Sequence, residues 1–152
     1  MKRSPSFFLP VFILLLVVSS CGKSDEEEIE ELLSKRQRAF ETKNVELYLS
    51  CISPDYKQKV DDTVIGIEQV KKNFLSNISV FDEIKLSPYD RSIYPDGKKA
   101  EVFQKVKVNV RIEKEENQFV MREKLGLEKV NGKWVVVKES DFDFLKGFVF
   151  GG

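Results

Sequence analysis

From Val102 onward the chain alternates with a period of two. Val102, Gln104, Val106, Val108, Val110 and Ile112 fall on one side, and Phe103, Lys105, Lys107, Asn109 and Arg111 on the other. That alternation predicts a half-buried strand. Further on, Asn131-Gly132 separates two apolar runs, a dipeptide whose backbone preferences suit a two-residue hairpin turn. Such a turn pairs Val130 with Lys133, Leu127 with Val136 and Leu125 with Lys138. A second turn through Lys114-Glu115-Glu116-Asn117 sets Ile112 opposite Phe119, Val110 opposite Met121 and Val106 opposite Leu125. The two turns agree on one apolar face, so residues 102–140 are expected to form three antiparallel strands.

Upstream the period changes to that of helices. Ser24-Asp25-Glu26-Glu27 has the form of a capping box, and Ile29, Leu32, Leu33, Arg36 and Phe40 follow as one stripe. Asn44 is placed to cap a shorter helix through Val45, Leu47, Tyr48, Cys51 and Ile52, ended by Ser53-Pro54. Residues 55–63 read as a polar loop. Residues 66–79 read as a third helix with Ile67, Val70, Phe74, Leu75 and Ile78 inward. Residues 81–94 read as a long strand that Pro88 weakens, and Pro95-Asp96-Gly97 as the turn after it. Helices followed by a long antiparallel sheet make an α+β order.

The N-terminus changes the setting. Met1-Lys2-Arg3, an apolar run over residues 7–18 and Val18-Ser19-Ser20-Cys21 have the layout of a secretory signal, and the run is shorter than the roughly 20 residues a membrane span needs. Val-Ser-Ser-Cys resembles the bacterial lipobox, whose cysteine is lipidated. The resemblance implies a signal peptide at 1–20, a lipidated Cys21 with a tether at 21–24 and a domain at 25–152. It also implies a cell-envelope location and a membrane partner. With Gly22 next, the outer membrane, on its periplasmic side, is favoured in a host with two membranes. Gly22, Lys23 and Ser24 extended reach only roughly 10 Å, which would hold the domain close to the lipid. Removing Lys2 and Arg3 with the leader leaves 23 basic against 25 acidic residues, a balance that argues against a nucleic-acid partner. The 132 residues that remain suffice for one domain. Cys51 then has no partner thiol and is expected to be a buried structural residue.

Within this order the segments Ala39-Phe40-Glu41-Thr42-Lys43-Asn44-Val45-Glu46-Leu47-Tyr48-Leu49, Pro54-Asp55-Tyr56, Gly66-Ile67-Glu68-Gln69-Val70 and Val130-Asn131-Gly132-Lys133-Trp134 resemble, in succession, the nuclear transport factor 2-like (SnoaL-like, ketosteroid-isomerase-like) superfamily. The resemblance implies a cone in which about three helices pack on a curved antiparallel sheet, with a pocket often between them. Enzymes, ligand binders and interaction modules share that fold, so fold alone does not assign function.

Histidine is absent from the sequence, which removes the commonest general base and metal ligand. No catalytic set transfers from the family residue by residue, and neither a cofactor nor a metal site is expected. The pairing above puts Glu123 on the apolar face opposite Val108, with Lys138 diagonal to it. A carboxylate there needs a partner. It is either a polar anchor or acid/base group in a pocket with Gln104, Tyr48 and Tyr56, or a structural ion pair. The opposite face collects Lys105, Lys107, Arg111, Arg122 and Lys124 around Phe103, Val120, Val135 and Val137, and sets Lys107 against Lys124. This face is expected either to be solvated or to bind a second copy, an acidic envelope partner or anionic headgroups. Phe142, Phe144 and Phe148 in the tail are expected to continue the last strand and close the core, plugging the cone's opening, the alternative being a tail that docks a partner or touches the membrane. The whole reads as an anchored, non-catalytic binding or interaction module. The alternative is a small-molecule binder, or an isomerase- or dehydratase-like enzyme, built around Glu123.

Overall fold

The computed structural model describes residues 22–60 and 62–140. The leader, Cys21 and the tail with Phe142, Phe144 and Phe148 lie outside the described residues. Helix α1, Asp25–Glu41, starts on Ser24, whose hydroxyl accepts from the Glu27 N–H at 3.2 Å while its own N–H donates to Glu27 Oε2 at 2.9 Å. Its stripe of Ile29, Leu32, Leu33, Arg36 and Phe40 is buried throughout. The start of α1 is tied to the sheet. Lys129 Nζ lies 2.7 Å from Asp25 Oδ1 and 2.6 Å from Glu28 Oε2, and the Trp134 indole N–H donates to Asp25 at 3.3 Å. Helix α2, Val45–Leu49, is capped by Asn44 Oδ1 on the Leu47 N–H at 2.9 Å.

The stretch read as a polar loop is a hairpin of β1, Lys57–Val60, and β2, Thr63–Gly66. Its polar residues lack the apolar alternation that marks a half-buried strand, and Val64 is 63% exposed. Helix α3, Ile67–Ser79, buries Val70, Phe74 and Ile78. Leu75 is exposed instead of inward, because one step of about 100° beyond Phe74 carries it off the buried face.

The main sheet runs β3–β4–β5–β6, all antiparallel, with β3 at Glu83–Asp96, β4 at Lys99–Ile112, β5 at Glu115–Val130 and β6 at Lys133–Glu139. β3 starts two residues later than expected and includes Pro95 and Asp96, so the turn falls at Gly97-Lys98. Pro88 is tolerated because β3 is an edge strand. At neighbouring Leu86 the outward groups are taken up by α1: the N–H donates to Glu41 Oε1 and the C=O accepts from Gln37 Nε2.

The β4–β5 turn is tighter than expected, at Glu113-Lys114, with Glu113 at φ 55°. Ile112 therefore faces Glu115, Val110 faces Asn117 and Val106 faces Met121. Each partner moves by an even number of positions, which preserves the faces, since only an odd slip turns a strand over. Glu123 stays inside but opposite Gln104, not Val108, and Lys107 meets Val120, not Lys124. The Asn131-Gly132 turn forms with φ 50° and 77° and gives the expected Val130–Lys133 and Leu127–Val136 pairs. Beyond it a bulge between Gly126 and Leu127 changes the register, so that Leu125 faces Glu139 and Lys138 faces Gly126. The bulge turns Lys138 outward and Glu139 in.

Candidate functional site

The concave side of the sheet carries a polar network inside an apolar core. Arg36, from the middle of α1, is 4% exposed and reaches two carboxylates. Its Nη2 lies 2.8 Å from Glu123 Oε1 and 2.9 Å from Glu139 Oε1, and its Nε–H donates to Glu139 Oε1 at 3.0 Å. Contact with Glu123 is a close ion pair whose geometry lies off the line of a hydrogen bond. The second oxygen of each acid is also engaged. Gln104 Nε2 donates to Glu123 Oε2 at 2.5 Å, and the Tyr48 hydroxyl donates to Glu139 Oε2 at 2.7 Å. Arg36 lies over the rings of Phe40 and Tyr48, 5.1 and 5.8 Å from their centroids, and Tyr48 stacks on Phe74 at 4.2 Å.

Two bulges build the flanks. Between Tyr89 and Ser92, Asp90 takes φ 48° and Arg91 turns inward, donating through Nε to Gln104 Oε1 at 2.7 Å and pairing with Glu30 on α1. On the other side the Glu139 N–H donates to Gln58 Oε1 at 3.0 Å and to the Tyr56 hydroxyl at 3.3 Å, while that hydroxyl donates to Gln58 at 2.6 Å.

The electrostatics follow from burial and contact. Burial alone disfavours the charged form of Arg36, but Glu123 and Glu139 override it and hold the guanidinium above its ordinary range. Burial, then the charge of Glu139, raises the Tyr48 phenol well above its usual value and pushes Tyr56 up to about 12. Cys51, fully buried, is also raised by burial, and its thiol donates to the Leu47 carbonyl at 3.4 Å.

Of the pocket residues expected from sequence, the fold brings Glu123, Gln104, Tyr48 and Tyr56 together and leaves Lys138 exposed on the other face. Arg36 takes the place assigned to Lys138. Arg36 could have been singled out, since a charge inside an apolar helical stripe demands a buried partner. Glu139 depended on the bulge, which a glycine inside a strand foreshadows. Arg91 carries no comparable signal.

On the outer face the expected opposition of Lys107 and Lys124 is absent. Lys105 faces Arg122 instead, and Asp90 draws it away at 2.7 Å. Lys124 pairs with Glu101 at 2.8 Å and covers the Phe103 ring, and Arg111 pairs with Glu83 at 3.0 Å. Lys107 and Arg122 form no ion pair among the described residues. Val135 and Val137 are half-buried, while Phe103 and Val120 are 38% and 47% exposed.

Among the described residues, one open cavity of about 520 Å³ lies at the start of α1 and another of about 470 Å³ on the outer face beside Lys85, Arg111 and Gln118. Neither is lined by Arg36, Glu123 or Glu139. No His, Cys, Asp and Glu cluster suited to a metal ion occurs among the described residues, and no helix there is long and apolar enough to cross a membrane.

Helices on the concave side of a curved four-stranded sheet recur in solved structures. One is a nuclear transport factor 2 (NTF2-like) superfamily protein from Salmonella enterica serovar Typhimurium, with a TM-score of 0.64 and 16% identity over 76% of this chain and 89% of that one. The chain has the nuclear transport factor 2-like fold. A candidate dehydratase of the NTF2-like family from Streptomyces avermitilis superposes with a TM-score of 0.66 at 11% identity, covering 76% of this chain and 93% of its own. A Nostoc punctiforme protein of unknown function with a cystatin-like fold gives 0.63 at 20% identity, over 76% and 87%. No family model and no curated protein matches the sequence. At these identities the NTF2-like likeness extends to the fold and not to the chemistry.

Proposed function

We propose that the protein is a non-catalytic binding or interaction module, held at the membrane of a bacterial envelope by a lipid on Cys21. One observation carries the non-catalytic reading: the concave interior is occupied by the chain's own ion network. Both oxygens of Glu123 are taken, one by Arg36 and one by Gln104, so a substrate would have to displace a buried partner to use that carboxylate. Breaking a buried ion pair costs about 3–5 kcal/mol, which a small ligand would have to return in new contacts. The binding surface in this reading is the outer face of the sheet, where Phe103 and Val120 stand exposed beside Lys107 and Arg122. Its partner is a second copy or an acidic envelope protein.

The test joins two variants and a label. Phe103→Glu with Val120→Glu should abolish association in the envelope, measured by cross-linking, while Glu123→Gln that retains its fold leaves association intact. Incorporation of a labelled fatty acid should vanish in Cys21→Ser. Loss of association in Glu123→Gln, with the outer-face variant unaffected, would reverse the assignment and favour the ligand-binding or isomerase- and dehydratase-like alternative.

A further inference from the structure

The outward positions of the two central strands carry a block of charge of one sign. Three consecutive outward residues of β4, Phe103, Lys105 and Lys107, stand opposite Lys124, Arg122 and Val120 of β5. Four of these six are cations and none is an acid. On a chain with 25 basic and 25 acidic residues, the block is a local patch and not a reflection of overall charge. Cations directly opposite each other destabilise a ladder, and neighbouring acids answer only half of this block. Asp90 takes Lys105 at 2.7 Å and Glu101 takes Lys124 at 2.8 Å. Lys107 and Arg122, diagonal neighbours on the same face, stay exposed and form no ion pair among the described residues. Phe103 and Val120 flank them at 38% and 47% exposure. Tyr94, 60% exposed, extends the apolar side through an edge contact with Phe103 at 6.0 Å.

Resting on the reading that this face is the binding surface, we propose that its partner is an acidic protein surface, with carboxylates set between apolar side chains, and not a second copy of the chain. A two-fold interface sets a patch against itself. Centred on this block, it would oppose cation to cation, and the two nearest acids, Asp90 and Glu101, are already engaged. Carboxylates on a partner instead complete Lys107 and Arg122. The guanidinium of Arg122 can take one through two parallel N–H donors, while Phe103 and Val120 supply apolar contact. The tether enters on the other side of the sheet. Gly22 to Ser24 lead into α1, whose Asp25 is held by Lys129 and by the Trp134 indole on the concave side. That placement favours a protein over the anchoring membrane as the source of the anion.

Lys107→Gln with Arg122→Gln removes both unpaired charges and leaves Phe103 and Val120 in place, so the sign of its effect separates the partners. The test uses the full chain in detergent, with a random copolymer of glutamate and tyrosine as the probe. Fluorescence anisotropy should show binding at least about fivefold weaker in this variant, and weakening with salt in the wild type. Equal affinity in wild type and variant would overturn the proposal. A dimer that strengthens in the variant, or in the wild type at high salt, measured by sedimentation, would overturn it in favour of a second copy. Binding to phosphatidylglycerol vesicles with none to the copolymer would overturn it in favour of headgroups. Cross-linking in the envelope that is lost in Phe103→Glu with Val120→Glu, but unchanged in Lys107→Gln with Arg122→Gln, would keep the outer face as the surface and overturn only its acidic partner. Cross-linking unchanged in both would overturn the surface itself.

Discussion

Replacing Arg36 by Met keeps most of the side-chain volume inside α1 and removes the one cation that, among the described residues, Glu123 and Glu139 share. Arg36 is 4% exposed, and the side chains of Glu123 and Glu139 are 0% and 13% exposed, so water cannot stand in for the guanidinium. The two carboxylates, both within 3 Å of Arg36 Nη2, are left facing each other. Removing one partner of such a buried pair costs about 3–5 kcal/mol. For a domain of this size that lowers Tm by roughly 10–20 °C. Adding Glu123→Gln should restore about 1–3 kcal/mol, because it neutralises one stranded charge and still leaves an oxygen for Gln104. Urea unfolding of the wild type, both single variants and the double variant measures the coupling. A loss below about 1 kcal/mol in Arg36→Met, as for a solvated pair, would refute the reasoning, as would strict additivity.

Three further outcomes follow from the same contacts. The folded state holds Tyr56, at about 12, and Tyr48 in their neutral forms, above the value of about 10 for an unfolded tyrosine. Their contribution is therefore full below about pH 10 and is lost as the pH rises through about 12, giving an alkaline unfolding step that Tyr48→Phe and Tyr56→Phe should flatten, followed by circular dichroism. A Cβ on Gly126 would lie 3.2 Å from the Lys138 Cβ, so Gly126→Val should cost about 1–3 kcal/mol by overpacking the bulge; an unchanged urea midpoint would contradict this. Lys124→Ala removes an exposed pair with Glu101 and should change stability by less than about 1 kcal/mol.

Most of the architecture was legible because period and turn chemistry act locally. The Val102–Ile112 alternation, the Asn131-Gly132 turn and the Ser24 capping box each appear where the residues alone put them. The β1–β2 hairpin was not legible, since its exposed polar strands show no face to read. The site was half legible, and the missing half has a specific cause. Glu123 was placed correctly inside by parity, but its partner was sought on β6 in a ladder without bulges, which selected Lys138. One extra residue at the Gly126 bulge exchanged Lys138 for Glu139, and the Tyr89/Ser92 bulge brought Arg91 to Gln104. Arg36 was in plain view in the apolar stripe of α1. What was missing was the step from a buried cation to the acids it must meet.

The central proposal is that the buried Arg36–Glu123–Glu139 network, and not a small molecule, occupies the concave side of the sheet. Native against denaturing mass spectrometry, on protein purified from its own envelope and compared with Glu123→Gln, tests it most directly. The account predicts the same mass for each subunit under both conditions, in wild type and variant alike. Extra mass retained in the native wild type, released on denaturation and absent from Glu123→Gln, would contradict it and make the Arg36–Glu123 network a ligand site.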